Sequence, residues 1–172
     1  MVYNSYFDII GPIMVGPSSS HTAGVVTIGK FVHDFLGGGI ESAEIVFYDS
    51  FSETHKGHGT DKAIVGGLLG LDTDDSRIRV ALELAAKRDV RLAFECRGEC
   101  PYYDHPNTLL VRAKTARDTA VIGGVSLGGG ISKIFYVNEF AVDIPLNAPY
   151  DLNELRNKFW QKTRCEAVAG GA

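Results

Sequence analysis

The chain has 172 residues, an apolar fraction of 45%, a charged fraction of 22% and a formal net charge of −4. These values are typical of one globular domain with an ordinary core. The acidic balance and the lack of a Lys/Arg cluster argue against a nucleic-acid-binding protein. No apolar run approaches membrane-spanning length and residues 1–15 do not resemble a signal peptide, so we expect a cytoplasmic protein without membrane or nucleic-acid partners.

The N-terminal region contains the most distinctive stretch, residues 16–24 with the sequence GPSSSHTAG. It follows two short apolar pieces broken by Gly11-Pro12, and it precedes a helix that we predict from Thr22 or Ala23 to the glycines at 37–39. The start of a helix offers unpaired N–H groups and a positive dipole end, which suit a carboxylate or phosphate. His21 titrates near neutral pH. The hydroxyls that either cap the helix or hold such an anion belong to Ser18, Ser19, Ser20 and Thr22.

The rest of the first half predicts one strand, one loop and two more helices. Residues Ala43–Tyr48 alternate as a strand, and residues 51–61 are polar and loop-like. A second helix is predicted from Thr60, weakened by Gly66-Gly67, and a third from about Asp75 to Arg88 with Thr73 or Asp74 as its cap. In this third helix Arg77 and Arg79 have the pattern of ordinary solvated charges.

The second half predicts five strands separated by turn residues: Arg91–Cys96, Thr108–Ala113, Thr119–Ser126, Ile131–Val137 and Phe140–Ile144. Their short connections favour antiparallel pairing. Together with the helices of the first half they predict an α+β, two-layer fold, with a mostly antiparallel or mixed sheet and helices on one face. We expect one domain over residues 1–150, followed over residues 151–172 by a helix from Asp151 to Lys162 and a tail from Ala167.

Three further loops contain candidate site residues. Residues 56–61 (KGHGTD) place His58 between glycines at a second helix start, where it is either a ligand-facing or a solvent-facing histidine. His105-Pro106-Asn107-Thr108 opens a strand, and it is either a structural turn or a ligand contact. Residues 126–130 (SLGGG) form either a flexible hairpin or a point of close approach. No phosphate-loop lysine accompanies these glycines, and Lys56 and Lys133 are expected to be exposed.

The metal-binding residue types are sparse. His55 and His58 supply at most two ligands, so we predict no metal site in this chain. The three cysteines, Cys96, Cys100 and Cys165, form no Cys-x-x-Cys pair and no disulfide framework. Cys96 alternates into a predicted strand, and we expect it in the core. Three cysteines cannot supply the usual four thiolates of an iron–sulfur cluster, so such a cluster would need another chain.

These motifs and Phe7-Asp8-Ile9-Ile10-Gly11-Pro12 occur in one order, and over residues 3–140 the chain resembles the β chain of bacterial iron–sulfur-dependent L-serine dehydratases. The SSSHT and GHGTD sequences are the most specific part of the match. The resemblance implies deamination of L-serine to pyruvate and ammonia without pyridoxal phosphate. In such enzymes an α chain or second domain ligates a [4Fe–4S] cluster, whose open iron is a Lewis acid for the leaving hydroxyl while a base removes the α-proton.

The resemblance also implies roles for individual residues. His58 would be the general base, and His21 would orient the substrate carboxylate or act as the alternate acid–base group. Asp61 would orient a histidine or the substrate ammonium group. The substrate-binding residues would be Ser18, Ser19, Ser20, Thr22, Gly59, Thr60 and Asp61.

Two other interpretations stay open. A similar domain acts in some phosphoglycerate dehydrogenases as an allosteric substrate-binding module, and His105, Asn107, Gly128 and Gly129 could line such an effector site for a hydroxy acid or amino acid. A structural subunit that only shields the cluster of its partner is the third interpretation. Many β chains continue into an ACT domain, which we do not expect here. The sequence leaves homo-oligomerisation and serine versus threonine preference open.

Overall fold

The computed structural model describes residues 13–16 and 18–169, with the backbone alone described for residues 19, 20 and 161–169. The chain forms an α+β fold with one six-stranded mixed sheet, as predicted. The helices are α1 Gly24–Leu36, α2 Asp49–Thr54, α3 Thr60–Leu68, α4 Ala81–Lys87 and α5 Leu152–Ala169. The strands are β1 Ile40–Tyr48, β2 Arg91–Arg97, β3 Thr108–Thr115, β4 Thr119–Gly128, β5 Ile131–Val137 and β6 Phe140–Pro145. A π-helical turn, Ser19–Ala23, precedes α1, and a 3₁₀ helix, Ser76–Val80, precedes α4.

The strand order in the sheet is β2-β1-β3-β4-β5-β6. Strands β3 to β6 follow one another with short turns and pair antiparallel, as the sequence predicts, and β1 also pairs antiparallel with β3. Strands β1 and β2 pair in parallel, with Ser42 opposite Arg91 and Tyr48 opposite Arg97. A parallel pair requires a long crossover, and helices α2 to α4 supply it.

Helices α1 and α3 pack so closely that only glycine fits at their crossing. A Cβ atom at Gly29 would lie 2.5 Å from the Ile64 carbonyl oxygen, and one at Gly67 would lie 2.3 Å from the Val26 carbonyl oxygen. The glycines that weaken the predicted second helix are therefore required by packing. Because α1 and α3 touch here, the turn that precedes α1 also packs against α3.

The predicted loop over residues 51–61 is wrong in its first part, because residues Asp49–Thr54 form α2. The fully buried Phe51 anchors this short helix to the core, and Thr54 Oγ1 donates a hydrogen bond to the Ser50 carbonyl at 2.6 Å. One anchoring aromatic residue in a polar stretch gives no helical period, so the pattern could not reveal this helix.

The predicted third helix is in fact two helices. Asp75, and neither Thr73 nor Asp74, is the cap, since its carboxylate accepts a hydrogen bond from the Arg77 N–H at 2.9 Å. A 3₁₀ helix follows, and Val80 leaves the helical region with φ −117° and ψ 22° before α4 begins.

The C-terminal helix confirms its predicted cap, because the Asp151 carboxylate accepts hydrogen bonds from the N–H groups of Asn153 and Glu154 at 2.8 and 3.0 Å. The helix continues to Ala169, and the predicted end at Lys162 and tail from Ala167 are wrong. Residues 152–169 contain no glycine or proline, so nothing local ends the helix earlier. None of the helices in the described part is long and apolar enough to cross a membrane.

Two predictions of burial are also wrong. Cys96 is exposed, because β2 is an edge strand with few buried positions. Lys133 is mostly covered, because its ammonium group lies 2.9 Å from the Asp143 carboxylate and 4.9 Å from the centre of the Tyr103 ring. The Phe7–Pro12 motif lies outside the described residues.

Candidate functional site

The two histidines of the SSSHT and GHGTD sequences meet where the turn before α1 faces the start of α3. Their ring centres are 4.5 Å apart, and the planes are nearly perpendicular at 86°. The ring of His21 also contacts the ring of the buried Phe51, at 5.2 Å. His58 is exposed and His21 is half-buried. The three rings therefore form a column from the core to the surface, and such edge-to-face contacts orient the outermost ring.

Ser18 fixes the position of His21. Its Oγ accepts a hydrogen bond from the His21 backbone N–H at 3.3 Å and lies 3.2 Å from His21 Nδ1. Since this oxygen already accepts from the backbone, its own proton is available to Nδ1. Burial first, and the neighbouring His58 second, lower the pKa of His21 from its ordinary value of 6.5. His21 is therefore neutral at neutral pH.

His58 faces a cavity of about 430 Å³ at the start of α3. Gly59 ends the loop in the left-handed conformation, with φ +70°, which favours glycine. Among the described lining residues three are cationic and none is acidic. The lining consists of Val15, Gly16, Thr22, Lys56, Gly57, His58, Gly59, Lys62, Ile78 and Arg79.

Two buried threonine hydroxyls lie at the two helix starts. Thr22 is 2% exposed and Thr60 is fully buried, and neither hydroxyl has a hydrogen-bond partner within the described part of the chain. Thr22 shares the cavity wall with Gly16, where a Cβ would lie 2.5 Å from Thr22 Oγ1. Leaving a buried hydroxyl unpaired costs about 1–3 kcal/mol, so the hydroxyl of Thr22 is suited to a ligand or water in this cavity.

The other predicted substrate-binding residues lie nearby. Ser19 and Ser20 belong to the π-helical turn, and their side chains are outside the described part. Asp61 is the second residue of α3, and its carboxylate accepts a hydrogen bond from the Lys62 N–H at 2.8 Å. The roles of these residues stay predictions.

Arg79 and Lys62 are the lining residues that sequence reasoning missed. Arg79 is exposed, as expected of a solvated charge, but it also lines the cavity. The neighbouring Ile78 is buried against Gly66 of α3, where a Cβ would lie 3.1 Å from Ile78 Cγ1. This contact brings Arg79 to the cavity, and no local pattern around Arg79 indicates it.

A second cavity, of about 330 Å³, surrounds His105. Its lining consists of Asp49, Glu99, Cys100, Tyr103, Asp104, His105 and Pro106. Nδ1 of His105 accepts a hydrogen bond from the Asn107 N–H at 3.1 Å, and burial lowers the pKa of His105 against the opposing effect of Asp104. Gly128 ends β4 and Gly129 begins the turn to β5, with φ of 93° and 63°.

The described residues contain no group of three or more His, Cys, Asp or Glu side chains that could hold a metal ion. Cys96 Sγ lies 3.8 Å from His55 Nδ1, which gives two candidate ligands at most. An iron–sulfur cluster normally takes four cysteine ligands. The described part of this chain therefore does not fit a [4Fe–4S] cluster by itself.

The burial of His21 predicts a pH dependence of stability. The unfolded chain takes up this proton near pH 6.5 and the folded chain only at lower pH, so the contribution is complete above about pH 6.5 and is lost as the pH falls towards the lowered pKa. We expect the free energy of unfolding to drop less between about pH 7.5 and about pH 5.5 in His21→Gln than in the wild type. Urea unfolding measures this, with His33→Gln as the matched control, and equal drops in wild type and His21→Gln would contradict it.

Comparison with known proteins gives one consistent family. Residues 5–100 match the family described as serine dehydratase beta chain. The probable L-serine dehydratase, beta chain, of Bacillus subtilis is 42% identical over 159 residues, which cover 92% of this chain and 71% of that protein. The L-serine dehydratase, beta chain, of Peptoniphilus asaccharolyticus is 39% identical over 140 residues, which cover 81% of this chain and 63% of that protein.

A longer relative matches over a smaller share of its length. The L-serine dehydratase of Streptomyces coelicolor is 31% identical over 163 residues, which cover 80% of this chain and 34% of that protein. The family match covers more than half of the chain, and it includes both histidine motifs. The chain belongs to the serine dehydratase beta chain family.

Proposed function

We propose that this chain is the β subunit of an L-serine dehydratase, which deaminates L-serine to pyruvate and ammonia together with a cluster-binding α chain. One observation carries the proposal. The rings of His21 and His58, which come from two separate motifs, have their centres 4.5 Å apart beside a cavity with a cationic lining. The names of the relatives supply the substrate class.

In this proposal His58 is the general base. It lies on the cavity wall between Gly57 and Gly59, and neither of these neighbours has a side chain that could cover its ring. A neutral imidazole nitrogen takes the α-proton of L-serine. His21, held by Ser18 and Phe51, supports the His58 ring from behind and stays neutral at working pH.

The helix start holds the substrate carboxylate. The hydroxyl of Thr22 is buried at the cavity wall, Ser19 and Ser20 belong to the same turn, and Ser18 directly precedes it. Backbone N–H groups and hydroxyls at such a turn are donors suited to a carboxylate. Thr60 and Asp61 follow Gly59 of this wall at the start of α3, and in the proposal they are further substrate contacts.

The [4Fe–4S] cluster is assigned to the α chain. The described residues of this chain offer no set of cluster ligands. What this chain supplies is the base, its support and the anion-binding wall. This division requires the α chain to face the opening where His58 is exposed.

Reconstitution tests this proposal. The purified chain alone should form no pyruvate from L-serine, and its mixture with an anaerobically prepared α chain should form pyruvate at a rate that saturates with the amount of β chain. Lactate dehydrogenase coupled to NADH oxidation measures pyruvate. An α chain that reaches the full rate without this chain, or a mixture without activity although both chains bind and the cluster is intact, would refute the proposal.

A second candidate function is the effector module, which the cavity around His105 supports. In that case this chain would change only the dependence of the rate on serine concentration. The same reconstitution separates the two functions, because an effector module leaves the maximal rate of the α chain unchanged and a catalytic subunit raises it.

A further inference from the structure

We infer that Arg79, together with Lys56 and Lys62, makes the cavity beside His58 a carboxylate site that prefers small organic monoanions to zwitterionic amino acids. The inference rests on the proposed function and deepens it, because there only the backbone N–H groups and hydroxyls of the turn before α1 bind the carboxylate. The ligand class is a short 2-oxo or 2-hydroxy acid, which includes the product pyruvate.

The wall of the cavity is positively charged. Three cationic side chains line the cavity, and its described lining contains no carboxylate. Among the described residues none of the three forms an ion pair, whereas Arg77 on the same short helix is paired with Asp75. Uncompensated charge of one sign around a concave surface raises the local concentration of the opposite ion.

Arg79, which carries a guanidinium group, lines this cavity on a backbone that is held in place. A guanidinium can donate two parallel hydrogen bonds to one carboxylate, which a lysine ammonium cannot do. Arg79 follows the buried Ile78, and the helix that carries both residues begins at the Asp75 cap. The backbone of Arg79 is therefore held in place, and only its side chain has to be ordered when a ligand binds.

Thr22, on the same wall, has a buried hydroxyl that a ligand could bind. Thr22 Oγ1 is buried and has no hydrogen-bond partner in the described part of the chain. A carboxylate oxygen that accepts its proton would remove the cost of burying this hydroxyl. The cavity, at about 430 Å³, is within the size range of small-molecule sites.

The charge of the wall also determines which carboxylates the cavity prefers. A zwitterion brings an ammonium group, and this wall offers it cations and no carboxylate. A monoanion such as pyruvate or glycolate gains the same carboxylate contacts without that repulsion. The isolated chain should therefore bind pyruvate more tightly than L-serine, and the enzyme should be inhibited by its product in competition with the substrate.

Titration of the full-length chain with pyruvate, glycolate and L-serine, followed by the amide NMR signals of Gly57, Gly59 and Thr22, tests the inference. We expect binding of pyruvate and glycolate to be tighter than binding of L-serine, and to weaken as salt rises. Arg79→Gln should weaken pyruvate binding about tenfold, and Arg79→Lys should weaken it less because the charge remains. Arg77→Gln removes the same charge two residues away and should leave binding unchanged.

Tighter binding of L-serine than of pyruvate, or equal pyruvate binding by wild type and Arg79→Gln, would overturn the inference. In the reconstituted enzyme Arg79→Gln should raise the inhibition constant of pyruvate and the KM for L-serine. Binding to the isolated chain is measured without turnover, so a failure of the catalytic proposal and a failure of this inference give separate results.

Discussion

Replacing His58 with asparagine lowers kcat of the reconstituted enzyme by about 10²–10⁴-fold, which is the usual contribution of a general base. Asparagine keeps the size and a polar edge at the cavity but has no nitrogen that can take a proton. The side chain is exposed and lies between glycines, so the fold should tolerate the change. Initial rates of pyruvate formation at saturating L-serine measure kcat.

His33→Asn is the matched control for this variant. His33 is a half-buried histidine on α1, outside the cavity, and its Nδ1 lies 2.9 Å from the Asp34 carboxylate. We expect kcat of this variant to stay within about twofold of the wild type. His58 could also contact the α chain, so sedimentation should establish that the variant still binds it. A His58→Asn enzyme that is fully assembled and keeps wild-type kcat would exclude His58 as the base.

The histidine motifs can be read from sequence because each one is local. A histidine at a helix start or between glycines stands out from its immediate neighbours, as His21 and His58 do. Their contact at 4.5 Å is not local. It depends on the crossing of α1 and α3, where Gly29 and Gly67 allow the two backbones to touch. The sequence shows those glycines only as helix-weakening residues.

The strands of the second half were predicted well for a related reason. Their short turns and alternating side chains determine both the strand positions and the antiparallel pairing between neighbours. The parallel pairing of β1 with β2 depends on the crossover, and the same pairing makes β2 an edge strand. The exposure of Cys96 follows from that position, which alternation along one strand cannot reveal.

The cationic wall could not be predicted, because its members come from different elements. Lys56 precedes α3, Lys62 belongs to α3, and Arg79 lies on the 3₁₀ helix. Each of them has the sequence context of an ordinary surface charge. Their common cavity follows from the burial of Ile78 against Gly66, which is a tertiary contact. Sequence patterns therefore indicate the histidine that we propose as the base, and they miss the positive charge around it.

The edge-to-face contact between the rings of His21 and His58 predicts that kcat also falls when His21 is replaced. If His21 acts by holding the His58 ring, then His21→Asn lowers kcat by about 10- to 100-fold, and the double variant is no slower than His58→Asn alone. If His21 were an independent acid or base, its loss would slow the His58→Asn enzyme further. Four enzymes, wild type, each single variant and the double variant, measure this coupling.

Two structural features favour the first outcome of this cycle. His21 is half-buried behind His58 and held through Ser18, whereas His58 is exposed and lines the cavity. The pKa of His21 is lowered by burial and by His58, so its ring is neutral at neutral pH and is poorly suited to act as a general acid. Ser18→Ala removes the hydroxyl beside Nδ1 of His21. Alone, it should lower kcat by part of the factor seen in His21→Asn. Added to the double variant, it should cause no further loss of kcat. If the losses of kcat in His21→Asn and His58→Asn instead add up in the double variant, His21 acts on the substrate itself.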